Sequence, residues 1–422
     1  MESTLSYKVV EQWRDPELAK ILIEAIAKRA DQLTELRGSN AEPIKIMEVC
    51  GTHTMAIAKW GLRAVLPDTI TLISGPGCPV CVTANQDLDR AIELAKQPGV
   101  ISCTFGDMMK VPGSYESLSD VKAKGHDVRI VYSPLDALDI AARETESQVI
   151  FISVGFETTA PLIAATIKRA ETSQLDNFSI CAIHKTVPEA LRVLADDPQV
   201  QVSGLILPGH VSTIIGLEPY QFLAADFAVP GVIAGFEPVD ILQGILMLLD
   251  QLLEKERTAA TAASMSASAS MSTDTNADAS IETFKARIDL AYTRGVKAEG
   301  NPVALAAIKE VFEPCDAAWR GLGLIPGTGL QLREAFVDFD AAQRFDVELP
   351  DTLEPKGCQC GEILRGIISP HDCRLFGRPC SPENPLGPCM VSSEGSCAAW
   401  YRYYGPAVHT AVAAEKVDAP HD

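Results

Sequence analysis

Long apolar runs are absent from this 422-residue chain. Charged residues interrupt its two most apolar stretches: Glu157 breaks the run 149–167, and Glu237 and Asp240 break the run 232–249. A membrane-spanning helix needs about 20 consecutive apolar residues, so we expect no membrane span. The start of the chain also lacks a basic segment followed by an apolar one, the pattern of a secretory signal. We therefore expect a cytoplasmic protein.

Positive charge is also in short supply. Lysine and arginine total 36 against 56 aspartates and glutamates, which gives a formal net charge of −20. Because nucleic-acid phosphates and anionic lipids would be repelled, we expect neither nucleic acid nor membrane as a partner. A Gly-x4-Gly-Lys-Ser/Thr phosphate-binding loop is missing as well. The composition of 47% apolar and 22% charged residues is typical of a globular protein with a sizeable core.

Short β-branched runs, most of them separated by helix-like segments, dominate residues 41–255. The runs predict strands at 44–49, 70–73, 100–105, 128–132, 149–154, 180–183, 205–207 and 232–234. Buried strands that alternate with helices indicate parallel, doubly wound sheets of the α/β class. Gly155-Phe156-Glu157 is echoed by Gly235-Phe236-Glu237 after another apolar run, which suggests two similar α/β domains.

The remaining segments complete the predicted domain organisation. We expect an N-terminal helical segment at 1–40, a first α/β domain at 41–145, a second at 146–255, a disordered insertion at 256–280 and a helical, cysteine-rich domain at 281–422. The insertion, rich in Ala, Ser and Thr, has almost nothing large and apolar to bury. A helix is predicted over 281–292. The last ~70 residues, rich in Pro, Gly and Cys, resemble a small metal-stabilised lobe.

Polar and sulfur-bearing residues cluster after the predicted strands. Ligands of parallel α/β sheets bind beyond the carboxyl ends of the strands, and most of the unusual residues of this chain fall there. They occur in the segments Cys50-Gly-Thr-His53, Gly75-Pro-Gly-Cys78-Pro-Val-Cys81, Gly106-Asp107, Gly155-Phe-Glu157, His184-Lys185 and Pro208-Gly-His210. This repeated placement is the main indication, from the residues alone, of a functional site.

Three cysteines in these segments carry distinct chemistry. Cys78 and Cys81 form a Cys-x-x-Cys pair, whose spacing permits a reversible disulfide. The same spacing is half of a zinc site, which Cys50 and His53 could complete. We favour redox chemistry, since the flanking Gly-Pro-Gly exposes thiols. Cys50 is itself a candidate nucleophile or soft-metal ligand, and the alternative is a buried apolar cysteine at a strand end.

Six further cysteines lie near the C-terminus. Four are spaced Cys358-x14-Cys373-x6-Cys380-x16-Cys397, which is not the pattern of a zinc ribbon. Four spread thiolates suit a [4Fe–4S] cluster, although zinc is about equally compatible with the spacing. Cys360 competes with Cys358 for the first ligand position, and Cys389 is left over.

Taken together, these motifs resemble those of the HypD family of [NiFe]-hydrogenase maturation factors. The resemblance runs from about residue 44 to about residue 404 and is interrupted by the 256–280 insertion. The motifs that carry it, in order, are Cys50-Gly-Thr-His-Thr54, Gly75-Pro-Gly-Cys-Pro-Val-Cys81, Phe105-Gly-Asp-Met-Met-Lys-Val-Pro-Gly113, Gly155-Phe-Glu-Thr-Thr-Ala-Pro161, Pro208-Gly-His-Val-Ser212, Trp319-Arg-Gly-Leu-Gly323 and the C-terminal cysteines.

The resemblance implies an assembly function. Proteins similar to HypD form a scaffold with the small partner HypC, on which the Fe(CN)2CO fragment of the hydrogenase active site is built. The cyanide donor is HypE, which HypF supplies, and the finished fragment goes to the hydrogenase large subunit. The implied fold has two similar α/β domains and a third that carries a [4Fe–4S] cluster. Such a protein is an assembly scaffold with redox activity rather than a conventional turnover enzyme.

Residue roles follow from the same resemblance. It implies that Cys50 holds the iron fragment with His53 beside it, and that Cys78 and Cys81 form the redox pair. The implied cluster ligands are Cys358, Cys373, Cys380 and Cys397. Assembly needs electrons and shelter from water and oxygen, so we expect a cleft between two α/β domains. Its expected lining is Cys50, Cys78, Cys81, Glu157 and His210.

Two other functions compete with the scaffold hypothesis. The first is an iron–sulfur-dependent protein thiol/disulfide oxidoreductase, which also explains the Cys-x-x-Cys pair and the cluster cysteines. The second is a zinc-stabilised α/β binding protein, which explains the fold but not the motifs at the strand ends. The segment Cys50-Gly-Thr-His53 discriminates between the scaffold and the oxidoreductase, because a plain disulfide reductase needs no third reactive thiol there.

Overall fold

A computed structural model describes residues 12–38, 40–269 and 283–405 of the chain. Its strands are β1 (Ile44–Glu48), β2 (Ile70–Ser74), β3 (Val100–Thr104), β4 (Asp127–Ile130), β5 (Gln148–Ser153), β6 (Phe178–Ala182), β7 (Gly204–Pro208), β8 (Gly231–Ala234), β9 (Ile288–Leu290), β10 (Phe312–Trp319) and β11 (Gly323–Leu332). Each of the eight predicted apolar runs forms a strand within about two residues of its expected bounds.

The helices surround these strands on both faces. They are α1 (Pro16–Arg37), α2 (Gly51–Lys59), α3 (Leu62–Val65), α4 (Pro79–Val82), α5 (Asn85–Ala95), α6 (Leu118–Ala123), α7 (Pro134–Arg143), α8 (Ala160–Thr172), α9 (Val187–Asp196), α10 (Gly209–Ile215), α11 (Gln221–Phe227), α12 (Pro238–Ala269), α13 (Pro302–Val311), α14 (Ala341–Arg344), α15 (Cys360–Leu364), α16 (Pro388–Val391) and α17 (Ser396–Tyr403). In the part of the chain that the structure describes, no helix has the length and apolar content to cross a membrane.

The strands form two parallel sheets of the doubly wound α/β class, as the sequence predicts. One sheet has five strands in the order β2-β1-β7-β8-β9, and the other has four in the order β4-β3-β5-β6. Strands β10 and β11 make a separate antiparallel pair, which the sequence did not predict. The echoed Gly-Phe-Glu segments follow β5 in one sheet and β8 in the other.

The two sheets do not follow the expected division at residue 145. The chain leaves the first sheet after β2, builds the whole four-stranded sheet over residues 100–182, and returns to pair β7 with β1. The expected boundary therefore falls between β4 and β5, which are strands of one sheet. Strand pairing is decided by tertiary packing, and apolar runs of similar composition give no indication of their partners.

The expected N-terminal helix is present as α1. Pro16 stands in its first turn, where a missing N–H costs nothing. The Asp15 side chain accepts hydrogen bonds from the N–H groups of Glu17 (2.8 Å) and Leu18 (3.2 Å), which caps the helix start. One face of α1 packs against α12, so the helix is held onto the five-stranded sheet. Residues 1–11 of the predicted segment lie outside the described residues.

Two expectations near the insertion are wrong. Residues 256–269 continue helix α12, because alanine has the highest helix propensity and the helix is already nucleated by its buried first half. Residues 270–280, the rest of the expected insertion, lie outside the described part. The helix predicted over 281–292 is also wrong for the described residues, where Ile288–Leu290 forms β9. Its backbone pairs with β8, and this tertiary contact overrides the local pattern.

Candidate functional site

Cys50 lies at the carboxyl end of β1, immediately before helix α2, and is 7% exposed. The loop after β2 lies against its backbone: the N–H of Gly51 donates to the carbonyl of Gly77 over 2.9 Å. A Cβ atom on Gly77 would overlap the backbone N and Cα of Cys50. Only glycine allows this approach, and the approach places Cys78 beside the segment that begins at Cys50.

We expect Gly77→Ala to destabilise the protein by roughly 2–4 kcal/mol, because the overlapping atoms are backbone and cannot rotate away. Urea unfolding measures the change. Gly106→Ala is the matched control, since a Cβ on this other strand-end glycine would meet a single atom, at 3.8 Å. Equal stability of the two variants would contradict the close approach of the two loops.

Cys78 and Cys81 form a disulfide with their Cα atoms 5.2 Å apart. The Cys78 Sγ also accepts a hydrogen bond from the N–H of Cys81 over 3.2 Å and caps the short helix α4. Both residues are buried, Cys81 completely, so the expectation that the flanking Gly-Pro-Gly exposes the thiols is wrong. The pair predicted from the Cys-x-x-Cys spacing is therefore close enough in space for reversible thiol chemistry.

Three rings, those of His53, Phe236 and His210, pack together next to the Cys50 segment. The ring of Phe236 lies 4.6 Å from the ring of His53 and 3.9 Å from the ring of His210. The His53 Nε2 lies 2.8 Å from the carbonyl of Gly235, so this nitrogen carries the proton. Burial lowers the pKa of His53 to about 4, which leaves the imidazole neutral at pH 7. His53 and His210 are thereby brought together at the edge of the five-stranded sheet.

Two carboxylates that the sequence did not single out hold the Cys50 segment in place. Glu48 is fully buried; its Oε1 accepts from the Thr54 hydroxyl (2.6 Å) and its Oε2 from the Cys50 N–H (3.3 Å). Burial raises the pKa of Glu48 to about 7. Glu394 accepts a 2.7 Å hydrogen bond from Thr52. Its sequence separation of 342 residues from Thr52 explains why no local pattern reveals it.

Burial and charge both keep the Cys50 thiol protonated. Burial first, and the negative charge of Glu394 second, raise the pKa of Cys50 to about 12. The Thr52 hydroxyl that binds Glu394 also lies 3.4 Å from the Nδ1 of His210. A thiol in such surroundings is not a free nucleophile at pH 7. It becomes a thiolate when a cation replaces the proton.

The loop that carries Glu394 also reaches the four-stranded sheet. Asp107, directly after β3, accepts hydrogen bonds from the Ser393 N–H (2.9 Å) and the Ser393 hydroxyl (3.0 Å) through its Oδ2. The cysteine-rich region is therefore fastened to the carboxyl ends of both sheets. The loop with Ser393 and Glu394 covers the carboxyl end of the five-stranded sheet, where Cys50 lies.

Glu157 lies apart from this group, after β5 of the four-stranded sheet. Its Oε1 accepts the Val187 N–H over 2.9 Å, and its Oε2 has no partner among the described residues. The buried Tyr220 lies near both Glu157 and Cys50, and burial raises the pKa of its phenol.

A pH-dependent contribution to stability follows from the burial of Glu157, which raises its pKa from 4.5 to about 7. The unfolded chain loses this proton near pH 4.5 and the folded protein only near 7. The stability that the neutral carboxyl provides is therefore complete below pH 4.5 and is lost as the pH rises through 7. We expect Glu157→Gln to match the wild type at low pH and to exceed it by up to roughly 3 kcal/mol at pH 8.

Urea unfolding of both proteins between pH 5 and 8 measures this difference. Glu171→Gln on the exposed face of α8 is the control for the same chemical change. A difference between Glu157→Gln and the wild type that stays constant over this pH range would contradict the buried, neutral carboxyl.

The six C-terminal cysteines line one apolar cavity: Cys358, Cys360, Cys373, Cys380, Cys389 and Cys397. The Cys360 thiol lies beside the thiols of Cys358 and Cys389. No three His, Cys, Asp or Glu side chains among residues 12–38, 40–269 and 283–405 converge tightly enough for a single metal ion. A cluster places one cysteine on each iron, so its four ligands need not meet at one point.

The surroundings of this cavity suit a negatively charged cluster. The Cys380 Sγ accepts a backbone hydrogen bond from Leu386 over 3.4 Å, an interaction that tunes cluster sulfurs. The guanidinium of the buried Arg320 lies near the thiols and, through its charge, favours the thiolates of Cys358 and Cys389. The donor set and this one buried cation therefore fit an iron–sulfur cluster.

The cysteine cavity is coupled to the other two sulfur sites by direct packing. Helix α16, which carries Cys389, packs on α4, which carries Cys81. Helix α17, which carries Cys397, packs on α2, which follows Cys50. The predicted site residues thus gather around one end of the molecule, with Glu157 at the neighbouring sheet.

Comparison with known proteins identifies the class to which this architecture belongs. The model of the HypD family, described as the hydrogenase formation hypA family, matches residues 17–284 and 271–404. The chain is 44% identical over 404 residues to the hydrogenase maturation factor HypD of Rhodobacter capsulatus, covering 94% of this chain and 98% of that protein. It is 41% identical over 399 residues to HypD of Escherichia coli (strain K12), covering 94% and 98%.

A third relative agrees. The hydrogenase maturation factor HypD of Azotobacter vinelandii is 43% identical over 403 residues, which cover 94% of this chain and 97% of that protein. The chain belongs to the HypD family of hydrogenase maturation factors.

Proposed function

We propose that this HypD-family chain is a redox-active scaffold on which the Fe(CN)2CO fragment of a [NiFe]-hydrogenase is assembled before its transfer to the large subunit. The observation that carries the proposal is the packing of α16 on α4 and of α17 on α2. This packing gathers three kinds of sulfur chemistry at one end of the molecule: a lone buried thiol, a disulfide and a cavity lined by cysteines.

Cys50 is the proposed ligand of the iron fragment. Its thiol is neutral until a cation arrives, and a low-spin iron with cyanide and carbonyl ligands is compatible with thiolate ligation. The proton released on binding goes to Glu394, the carboxylate held by Thr52. His53 stays neutral, with its Nε2 hydrogen bonded to Gly235, and fixes the start of α2 against Phe236.

Cys78 and Cys81 are the proposed electron store of the site. Opening their disulfide takes two electrons and two protons and yields two thiols. The proposed cluster ligands are Cys358, Cys373, Cys380 and Cys397, and the cluster would supply electrons one at a time. Since α16 packs on α4, no large rearrangement is needed between the cysteine cavity and the disulfide.

The proposed partners are a HypC-type chaperone, which supplies a second ligand to the iron, and a HypE-type cyanide donor. HypF and the hydrogenase large subunit take part indirectly. The loop that carries Glu394 closes one side of the edge at Cys50, so a partner approaches from the side of His210, which is partly exposed at the head of α10.

Complementation tests this proposal. A strain that lacks its own HypD regains hydrogenase activity when it expresses this chain, if the scaffold function is correct. Failure to restore activity, with the chain folded and present at normal levels beside a cognate HypC-type partner, would contradict it.

An iron–sulfur-dependent thiol/disulfide oxidoreductase is the second candidate function, and the Cys78–Cys81 disulfide next to the cysteine cavity favours it. The two functions differ at Cys50. An oxidoreductase keeps its activity in Cys50→Ala and loses it in Cys78→Ala, whereas a scaffold loses maturation in both variants.

A further inference from the structure

A second cavity lies at the carboxyl end of β6, in the four-stranded sheet, and the assembly function leaves it without a role. The cavity has a volume of about 370 Å³, within the range of small-ligand pockets. It is lined by the segment His184-Lys185, by α5 and by the hairpin β10–β11. It shares no lining residue with the Cys50 site. Ligands of parallel α/β sheets bind at this end of the strands.

One cation of this cavity, Arg90, is not held in a hydrogen bond or ion pair within the described chain, although its charge acts on Asp340 and Cys181. Lys185 is 2% exposed and pairs with Asp87 over 3.0 Å, so the pair is neutral. Asp316 and Asp340 each accept a backbone N–H, from Gly327 (3.1 Å) and Ala342 (2.9 Å). Arg90 also lines the cavity, and no hydrogen bond or ion pair joins it to another residue of the described chain.

We propose that this cavity binds a small molecule through a carboxylate or phosphate group, with the guanidinium of Arg90 as the anchor and the ammonium of Lys185 as a second donor. Arginine presents parallel N–H groups that match both kinds of oxoanion. Asp316 and Asp340 each accept a backbone N–H group, and neither forms an ion pair with Arg90.

Cys315, a half-buried thiol in the wall of the same cavity, provides a reporter. Iodoacetate carries a carboxylate and iodoacetamide does not, yet both alkylate a thiolate with loss of iodide. The quantity to measure is the rate of alkylation of Cys315 by iodoacetate divided by its rate with iodoacetamide. We expect this ratio to be about tenfold higher in the folded, full-length protein than in urea. Arg90→Gln abolishes this excess, while Arg143→Gln at the exposed end of α7 preserves it.

Protection of Cys315 identifies the kind of oxoanion. Slower labelling in inorganic phosphate but not in acetate assigns a phosphate ligand, and the reverse assigns a carboxylate. Equal ratios in the folded and unfolded protein would overturn the proposal, as would an excess that survives Arg90→Gln. Absence of labelling by either reagent would also overturn it, because the cavity would then be closed. Mass spectrometry of the Cys315 peptide gives each rate, so the test does not depend on hydrogenase maturation.

Discussion

Replacing Cys50 by alanine is expected to reduce hydrogenase maturation to the background level while leaving the fold intact. The change removes the single thiol that the proposed iron fragment would bind, and the neighbouring Cys78 and Cys81 are assigned to the redox pair. The loss of one buried sulfur costs stability only about 1–2 kcal/mol. Hydrogenase activity in a complemented strain and the urea unfolding midpoint of the purified variant give the two readouts.

Cys103→Ala is the matched control for this prediction. Cys103 is a buried cysteine in β3, and burial raises its pKa to about 12, as it does for Cys50. We expect it to lose similar stability and to mature hydrogenase normally. Normal maturation by Cys50→Ala would contradict the role of this thiol. Equal loss in both variants would assign the defect to folding.

Alanine at any one of Cys358, Cys373, Cys380 and Cys397 is expected to lower the iron and acid-labile sulfide of anaerobically purified protein from about four of each per chain to near zero. The unfolding midpoint should fall by several degrees, because binding of the cluster contributes to folding of its lobe. The lobe buries few large apolar side chains apart from those around the cysteine cavity, so the proposed cluster would take the place of a conventional core there.

Variants of the neighbouring Cys358 and Cys360 decide which of the two is the first cluster ligand. Loss of the cluster in Cys358→Ala and its retention in Cys360→Ala would confirm the proposed set, and the reverse pattern would move the ligand to Cys360. Cys103→Ala serves again as the control that keeps its iron. One zinc per chain without sulfide, in wild-type protein purified without oxygen, would contradict the cluster altogether.

Most of the parallel strands were predictable because they are short, largely buried runs, for which local sequence and final environment agree; β9, predicted as helix, is the exception. Strand β5, for example, buries five consecutive residues. The division of the strands between two sheets was not predictable, since nothing in the short sequences of β1 and β3 specifies a partner, and only tertiary packing selects β7 or β5 as the neighbour. The hairpin β10–β11 was not predicted for a related reason: Pro314 and several glycines interrupt the run of strand-forming residues.

Part of the candidate site was predictable for a different reason. Cys50, Cys78 and His210 each follow a strand directly, and the carboxyl ends of parallel strands meet at one edge. Glu394 comes to this edge from a distant loop, through contacts that no sequence spacing encodes. Glu157 also follows a strand, but that strand belongs to the other sheet, so its place relative to Cys50 depends on how the sheets pack.

Infrared spectroscopy tests the scaffold proposal most directly. The protein is purified without oxygen from cells that also make a HypC-type and a HypE-type partner, since cyanide and carbonyl on iron absorb where protein is nearly transparent. We expect cyanide and carbonyl bands in the wild-type complex and their loss in the Cys50→Ala complex. A spectrum without these bands, recorded with the partner bound and the cluster intact, would contradict the scaffold and favour the thiol/disulfide oxidoreductase.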